Sequence, residues 1–278
     1  MDDINKYIFH TKNLTDEQQY KIETVFAIKA VPQGDFYLLK SSCDTNLSAM
    51  REQLACDVNV LNNHFDGSQV RLLVMDMDST LISIECIDEI ADMLGIKAEV
   101  SAITEAAMRG ELDFELSLTK RVALLKGLAI DQLQRVYDER LRLNPGAEKL
   151  ISYSQQSNIK LVLVSGGFTF FTDKLKEKLG LDYTLANTLG IEDGCLTGKV
   201  DGAIIGAQSK ADLLLKLSNE FNLEPHQVIA MGDGANDLLM LKEAGLSVAY
   251  HAKPTVQAQT DNQLNYSGLD AVIDLLKA

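Results

Sequence analysis

Two short acidic runs carry the first chemical suggestion in this sequence. Asp76-Met77-Asp78-Ser79-Thr80 follows the apolar run Leu72-Leu73-Val74-Met75, and Gly232-Asp233-Gly234-Ala235-Asn236-Asp237 follows Val228-Ile229-Ala230-Met231. Carboxylates two residues apart can be aimed to one side of a loop, where they repel unless a proton or a cation lies between them. A hard divalent ion such as Mg2+ suits an all-oxygen environment of this kind. Asp233 could complete the carboxylate set for the metal, while Asp237 could orient it from behind. The bland alternatives are a solvated acidic loop at Asp76 to Thr80 and, for Asp237, an acidic N-cap of the helix Leu238 to Ala244. Two acidic loops at equivalent strand ends are a rarer accident than one.

A third loop, Ser165-Gly166-Gly167, follows Leu161-Val162-Leu163-Val164. It would set a hydroxyl and free backbone N–H groups near a helix N-terminus, a natural seat for phosphate. A glycine turn required by chain geometry alone reads the same way. Lys210 enters by chemistry more than by pattern, because a site that gathers two acidic loops and a phosphate needs fixed positive charge beyond a metal. A lysine at a helix start is otherwise a solvated one.

The elements that must position these residues follow from periodicity. From about Arg71 onward, short apolar runs alternate with helix-period segments, the pattern of β-α units and a parallel sheet. The three apolar runs named above end at the candidate loops, and open parallel sheets hold ligands at the carboxyl ends of their strands. Leu246 to Tyr250 reads as a further strand and Leu269 to Leu276 as a closing helix. More than eighty residues separate the first two strands, which implies a helical insert with faces at Ile87, Ile90, Ala91 and Leu94, at Val100, Ile103 and Ala107, and at Ile130, Leu133, Val136 and Tyr137. Asp113 and Asp131 are its expected N-caps, and Pro145 the first turn of the helix that returns to the sheet.

Gly167 is expected to open a helix that Gly180 closes, and Ile191 to Val200 a hairpin turning at Asp193-Gly194. Ser209 with Asp212 resembles a capping box for a helix Lys210 to Phe221. The first seventy residues differ in texture. Strand-like Tyr7-Ile8-Phe9 and Phe36-Tyr37-Leu38-Leu39 alternate with helix-like Glu17 to Ala30 and Leu47 to Leu61, a small α+β domain without a chemical cluster.

The chain has 278 residues, about two domains' worth at roughly 150 each, with 24% charged and 46% hydrophobic residues, an ordinary globular composition. A formal net charge of −14 repels polyphosphates and argues against nucleic acid. The apolar runs fall far short of the ~20 residues of a membrane span. The acidic and then polar start does not resemble a secretory leader, so a cytoplasmic location is expected. Cys43, Cys56, Cys86 and Cys195 lack metal or disulfide spacing and are expected to be reduced, mostly buried thiols.

Taken in order, Asp-x-Asp-x-Thr, Ser-Gly-Gly, Lys and Gly-Asp-x-x-x-Asp resemble the four motifs of the haloacid dehalogenase superfamily of aspartate-nucleophile phosphatases. Residues 75–81 with Glu85, Phe114-Glu115-x-Ser117-Leu118 with Arg121-Val122, Val164 to Phe168, and Gly232 to Asp237 are similar, more narrowly, to its phosphoserine phosphatase family. The resemblance covers about residues 71–278, and residues 1–70 resemble only the variable, ACT-like extension of bacterial forms.

It implies an α/β fold: a doubly wound parallel sheet with a Rossmann-type core, a helical cap inserted at about 84–148, and the small N-terminal α+β domain. It implies Asp76 as nucleophile and Asp78 as acid and base. One Mg2+ would be held by Asp76, the backbone carbonyl of Asp78, and Asp233. Ser165, Gly166 and Lys210 would sit on the phosphoryl group, with Asn236 nearby and Asp237 in support. Glu85 and Arg121 would meet the ammonium and carboxylate of O-phospho-L-serine, where the residues alone suggest a solvated helix face. Met108 and Phe114 would close over the site.

Other readings stay open: a phosphatase for phosphohomoserine or phosphothreonine, a phospho-switch in which Asp76 only accepts a phosphoryl group, and an N-terminal domain that senses an amino acid or forms a homodimer.

Overall fold

The computed structural model describes residues 4–108 and 111–278, and of Met108 the backbone alone. The N-terminal part builds β1 (Asn5–Phe9), α1 (Asp16–Phe26), β2 (Val31–Pro32), β3 (Tyr37–Ser41), α2 (Leu47–Leu54) and β4 (Val58–Asn62). Its antiparallel sheet has the order β2-β3-β1-β4. Side chains alternate across β1. Tyr7 and Phe9 join Ile22, Phe26, Met50 and Leu54 in a small core, while Ile8 faces the opposite way into the main core of the chain. The helix expected over Leu47 to Leu61 ends at Leu54, where Ala55 turns left-handed and the chain continues as β4. The β-branched Val58 and Val60 favour a strand over a helix.

The main sheet contains β5 (Leu72–Met75), β6 (Lys160–Phe168), β7 (Tyr183–Glu192), β8 (Cys195–Asp201), β9 (Val228–Gly232), β10 (Leu246–Tyr250) and β11 (Asn262–Leu264). The order is β11-β10-β9-β5-β6-β7-β8, parallel throughout except for the β7/β8 hairpin, whose turn residues Asp193 and Gly194 both have positive φ. From β5 the chain goes first to β6 on one side and later to β9 on the other. The crevice of this open sheet therefore lies at the carboxyl ends of β5, β6 and β9.

Between β5 and β6 stand α3 (Cys86–Leu94), α4 (Lys97–Met108), α5 (Phe114–Ala123) and α6 (Ile130–Arg135), the expected helical insert. The remaining helices are α7 (Ala147–Gln156), α8 (Thr169–Leu179), α9 (Ala207–Glu220), α10 (Leu238–Glu243), α11 (Pro254–Gln257) and α12 (Val272–Lys277). Alternate strand residues feed two cores. Leu73, Met75, Leu161, Leu163, Ile229 and Met231 face α7, α8 and α12, whereas Leu72, Val74, Val162, Val164, Val228 and Ala230 face α9 and α10. Strands apolar on both faces in this way are those of a covered parallel sheet.

Local caps were partly legible. Asp113 does cap α5, accepting from Leu116 N–H at 2.7 Å, and Gly180 closes α8 in the left-handed region. Asp131 does not cap α6, which starts one residue earlier behind Ala129, and Pro145 stands before α7, whose cap is Gly146. The expected start of α9 at Lys210 is three residues late. Gly206 takes the cap position, so Ser209 and Asp212 form no capping box and Lys210 lies inside the first turns. No helix among the described residues is long and apolar enough to cross a membrane, and the four cysteines are free thiols.

Candidate active site

Asp76 ends β5. Its N–H donates to Met231 O of β9 at 3.0 Å, which holds it at the crevice floor. The chain then makes a wide turn, Met77–Leu81, in which Ser79 adopts φ +55°. That left-handed conformation is uncommon outside glycine, and here the Ser79 N–H donates to Ile84 O at 3.2 Å while its hydroxyl donates to Glu85 Oε1 at 2.8 Å. The turn lifts Asp78 so that its Oδ1 accepts the Cys86 N–H at 3.0 Å, at the start of α3.

Lys210, wholly buried, donates to Asp76 Oδ1 at 2.7 Å and to Asp237 Oδ1 at 2.6 Å. Burial pulls its ammonium pKa down, but Asp237 and Asp76 outweigh that and hold it protonated. Asp237 caps no helix N–H. Its Oδ2 accepts from Asp233 N–H at 3.2 Å and Gly234 N–H at 3.0 Å, so it shapes the loop that carries Asp233. Gly232 has to be glycine, since a Cβ there would strike the Asp237 carboxyl. Asn236 folds its Oδ1 against Gly234.

Ser165 and Gly166 lie where β6 bulges. The ladder to β7 pairs Val164 with Leu185 and resumes only at Phe168 with Asn187, so residues 165–167 protrude from the sheet. Ser165 Oγ receives the Gly167 N–H at 2.8 Å and sits 3.4 Å from Asp78 Oδ2.

Phe114, the first residue of α5, lies over Gly166 and Gly206, 3.0 and 3.4 Å from where their Cβ atoms would stand. Desolvation holds the Glu85 carboxyl above the ordinary range, and Arg121, on the same helix face as Phe114, pulls against that rise, although no ion pair joins them among the described residues. Glu85 itself is exposed in this conformation. Met108 ends α4, and its side chain lies outside the described residues.

Charge is unbalanced here. Carboxyl oxygens of Asp76, Asp233 and Asp237 lie within 4.8 Å of one another with one buried ammonium between them. Burial and Asp237 hold the Asp76 carboxyl well above the ordinary range, against the pull of Lys210. Burial, then Asp237 and Glu85, push Asp233 up to about 7. Burial and Glu85 push Asp78 up to about 7, against the Cys86 N–H and Lys210.

Among the described residues nothing donates to Asp76 Oδ2, and Asp233 receives only the Thr80 hydroxyl at a long 3.4 Å. An oxygen-only set with excess negative charge and unpaired lone pairs fits a hard divalent cation. Asp237, with one oxygen on Lys210 and the other on two N–H groups, is the support of that set more than a ligand.

Residues 70–245 match the haloacid dehalogenase-like hydrolase family. A phosphoserine phosphatase of Polaromonas sp. is 53% identical over 225 residues, 79% of this chain and 95% of that one. Among solved structures, a probable phosphoserine phosphatase from Vibrio cholerae, unliganded, superposes with a TM-score of 0.84 at 40% identity, over 98% of this chain and 86% of that one. A phosphoserine phosphatase solved as an analogue of its phospho-aspartyl intermediate superposes with a TM-score of 0.69 at 40% identity, over 74% of this chain and 98% of that one.

Proposed function

The chain belongs to the haloacid dehalogenase-like hydrolases and, within them, to the phosphoserine phosphatase family, and from that premise we propose that it hydrolyses O-phospho-L-serine to L-serine and phosphate. The reading includes one Mg2+ per site and an aspartyl phosphate on Asp76, and makes the reaction the last step of L-serine formation. One observation carries it. Asp76 is paired with the buried Lys210 at 2.7 Å, and two residues further on stands a carboxyl, Asp78, that burial keeps protonatable up to about pH 7.

Asp76 forms the new bond to phosphorus through its unpaired oxygen, in line with the seryl oxygen that leaves. Asp78 donates its proton to that oxygen, so serine departs as the alcohol. The same carboxylate then takes a proton from the water that hydrolyses the aspartyl phosphate, which releases phosphate and restores both aspartates. Ser165, the Gly166 N–H and Lys210 hold the phosphoryl oxygens, and Asn236 stands beside them. Glu85 meets the substrate ammonium and Arg121 its carboxylate, a planar fork on a planar anion. Phe114, with Met108, covers the site and excludes water. Mg2+ held by Asp76, the carbonyl of Asp78, and Asp233 would offset the repulsion between an anionic nucleophile and a phosphate dianion.

The deciding experiment follows phosphate release from O-phospho-L-serine, phosphothreonine and an aryl phosphate, with Mg2+ or chelator, in wild type, Asp76→Asn and Asp78→Asn. The expected result is a preference for phosphoserine that chelator and Asp76→Asn abolish, with a longer-lived phosphoprotein in Asp78→Asn. Turnover of the aryl phosphate alone would discard the roles of Glu85 and Arg121. An unchanged phosphoprotein lifetime in Asp78→Asn would discard Asp78 as the acid and base.

A further inference from the structure

We propose that Asn187 is a positioning residue that sets the spacing between the two phosphoryl-holding elements, the Ser165–Gly167 bulge and the start of α9. This rests on the phosphatase reading above. Asn187 stands on β7 at the point where the ladder to β6 resumes, and it is 1% exposed. Its Nδ2 donates to Gly166 O at 2.8 Å, so a side-chain amide fills the gap that the bulge leaves in the ladder. The same amide grips Ile205 with both ends: Oδ1 accepts the Ile205 N–H at 2.8 Å, and Nδ2 reaches Ile205 O at 3.3 Å.

Ile205 immediately precedes Gly206, the cap of α9, on whose first turns Lys210 stands. One buried side chain thus ties the peptide of Gly166 to the segment that delivers Lys210. The two glycines that it brings together, Gly166 and Gly206, are the pair under the Phe114 ring. A Cβ on Gly166 would press on that ring at 3.0 Å, and one on Gly206 would touch it at 3.4 Å. Serine, threonine or glutamine would not reproduce this grip, because it needs one acceptor and two donors at the reach of a short planar amide.

The consequence for the reaction is geometric. Gly166 and Lys210 act on the transferring group only when both are within hydrogen-bond reach of it, and a misplacement of ~1 Å at such a site costs on the order of 100-fold in rate. The residues that meet the serine part, Glu85 and Arg121, belong to the insert and do not depend on Asn187 directly. The phosphoryl end and the amino-acid end should therefore respond differently to its removal.

The test compares wild type, Asn187→Ala and Asn187→Asp in phosphoserine turnover, in inhibition by orthovanadate, which mimics the transferring phosphoryl group, and in inhibition by L-serine. Asn187→Ala is expected to lose about 30- to 100-fold in kcat/KM and a similar factor in orthovanadate affinity, with the L-serine constant changed less than about threefold. Asn187→Asp retains the acceptor for Ile205 N–H, but when ionised it opposes the carbonyl of Gly166. Its activity relative to wild type should rise as the pH is lowered and its carboxyl becomes a donor.

A folded Asn187→Ala protein with unchanged orthovanadate inhibition overturns the proposal. Equal loss of orthovanadate and L-serine binding overturns it too, because that is what a merely structural role would give. If Asn187→Ala does not fold, the Asn187→Asp comparison decides by the same two constants and by its pH profile, and a flat profile counts against the proposal. A wild type that binds orthovanadate and ignores phosphoserine would remove the substrate reading alone, since the orthovanadate comparison between variants still judges Asn187.

Discussion

Asp78 and Asp233 keep their protons to about pH 7 because burial, and then neighbouring carboxylates, disfavour their charged forms. The ordinary value for both is 3.8, the one the unfolded chain shows. Between these limits the unfolded chain has released protons that the folded chain still holds, so stability falls as pH rises through this window and levels off above it. In chelator, the melting temperature is expected to drop by a few degrees, about 3 to 6 °C, from about pH 5 to about pH 7.5. Mg2+ should raise it more at the higher pH, where the carboxylates are free to bind. Scanning calorimetry at the two pH values checks both, and a melting temperature that rises from the lower to the higher pH would contradict the assignment of the buried carboxyls. The same burial suits Asp78 to the role proposed for it, since a general acid works best with a pKa near the working pH. Asp76, as the proposed nucleophile, needs the opposite state, which burial and Asp237 oppose and the ammonium of Lys210 on its Oδ1 favours.

The elements place these residues by departures from regular structure. The wide turn after β5, with Ser79 at φ +55°, aims Asp78 away from Asp76 and onto the Cys86 N–H. The bulge in β6 pushes Ser165 and Gly166 out of the sheet and into the crevice. Gly167 is the tightest point of that bulge: a Cβ there would stand 2.7 Å from Asp78 Oδ2 and 3.0 Å from both Met77 Cε and Ser165 Oγ. Gly167→Ala must therefore displace the carboxyl of Asp78 and the hydroxyl of Ser165, the proposed acid and phosphate ligand, together. Activity is expected to fall about 100-fold while the melting temperature moves by only a few degrees, because the contacts are with ends of side chains at the edge of the core. Steady-state kinetics beside a melting curve tests this, and near-normal kcat in a folded Gly167→Ala protein would show that Asp78 tolerates the shift.

Across the molecule, the N-terminal sheet is bound to the main sheet by buried polar groups as well as by Ile8, Phe36 and Leu61 in the shared core. Asp57, wholly buried on the approach to β4, accepts the N–H groups of Asn265 at 2.7 Å, Tyr266 at 3.0 Å and Ser267 at 2.7 Å. Asn59 on β4 pairs its amide with both backbone groups of Gln263 on β11, at 2.9 Å each, and so covers the free edge of the main sheet. Its Oδ1 is taken by the Gln263 N–H, so Nδ2 faces His10 Nε2 at 3.0 Å, and His10 donates from Nδ1 to Asp274 at 2.9 Å. The two sheets are expected to unfold as one. Asp57→Ala leaves three N–H groups at this seam without their acceptor and should cost about 3 kcal/mol in urea unfolding. A loss below about 1 kcal/mol, or two separate transitions in wild type, would mean that the N-terminal sheet contributes little to the rest.

The strands that end at the site, the helical insert, the hairpin at Asp193-Gly194 and every candidate loop were legible from the residues, because each is written in local period or in spacing of a few positions. The helix expected through Val58 to Leu61 failed for the same reason: a short apolar run fits both periods, and only pairing with β1 makes it a strand. What Lys210 does could not be read locally. Its partners stand 134 and 27 positions away, and a lysine on a helix looks solvated until the fold encloses it. Asn187 and Asp57 gave no sign beyond a polar residue in apolar company, since their partners are backbone groups, which every residue has. Types and spacing determined which chemistry this chain carries. The tertiary structure decided which groups are buried together, and with that their charge, their hydrogen-bond partners and the distances on which the chemistry depends.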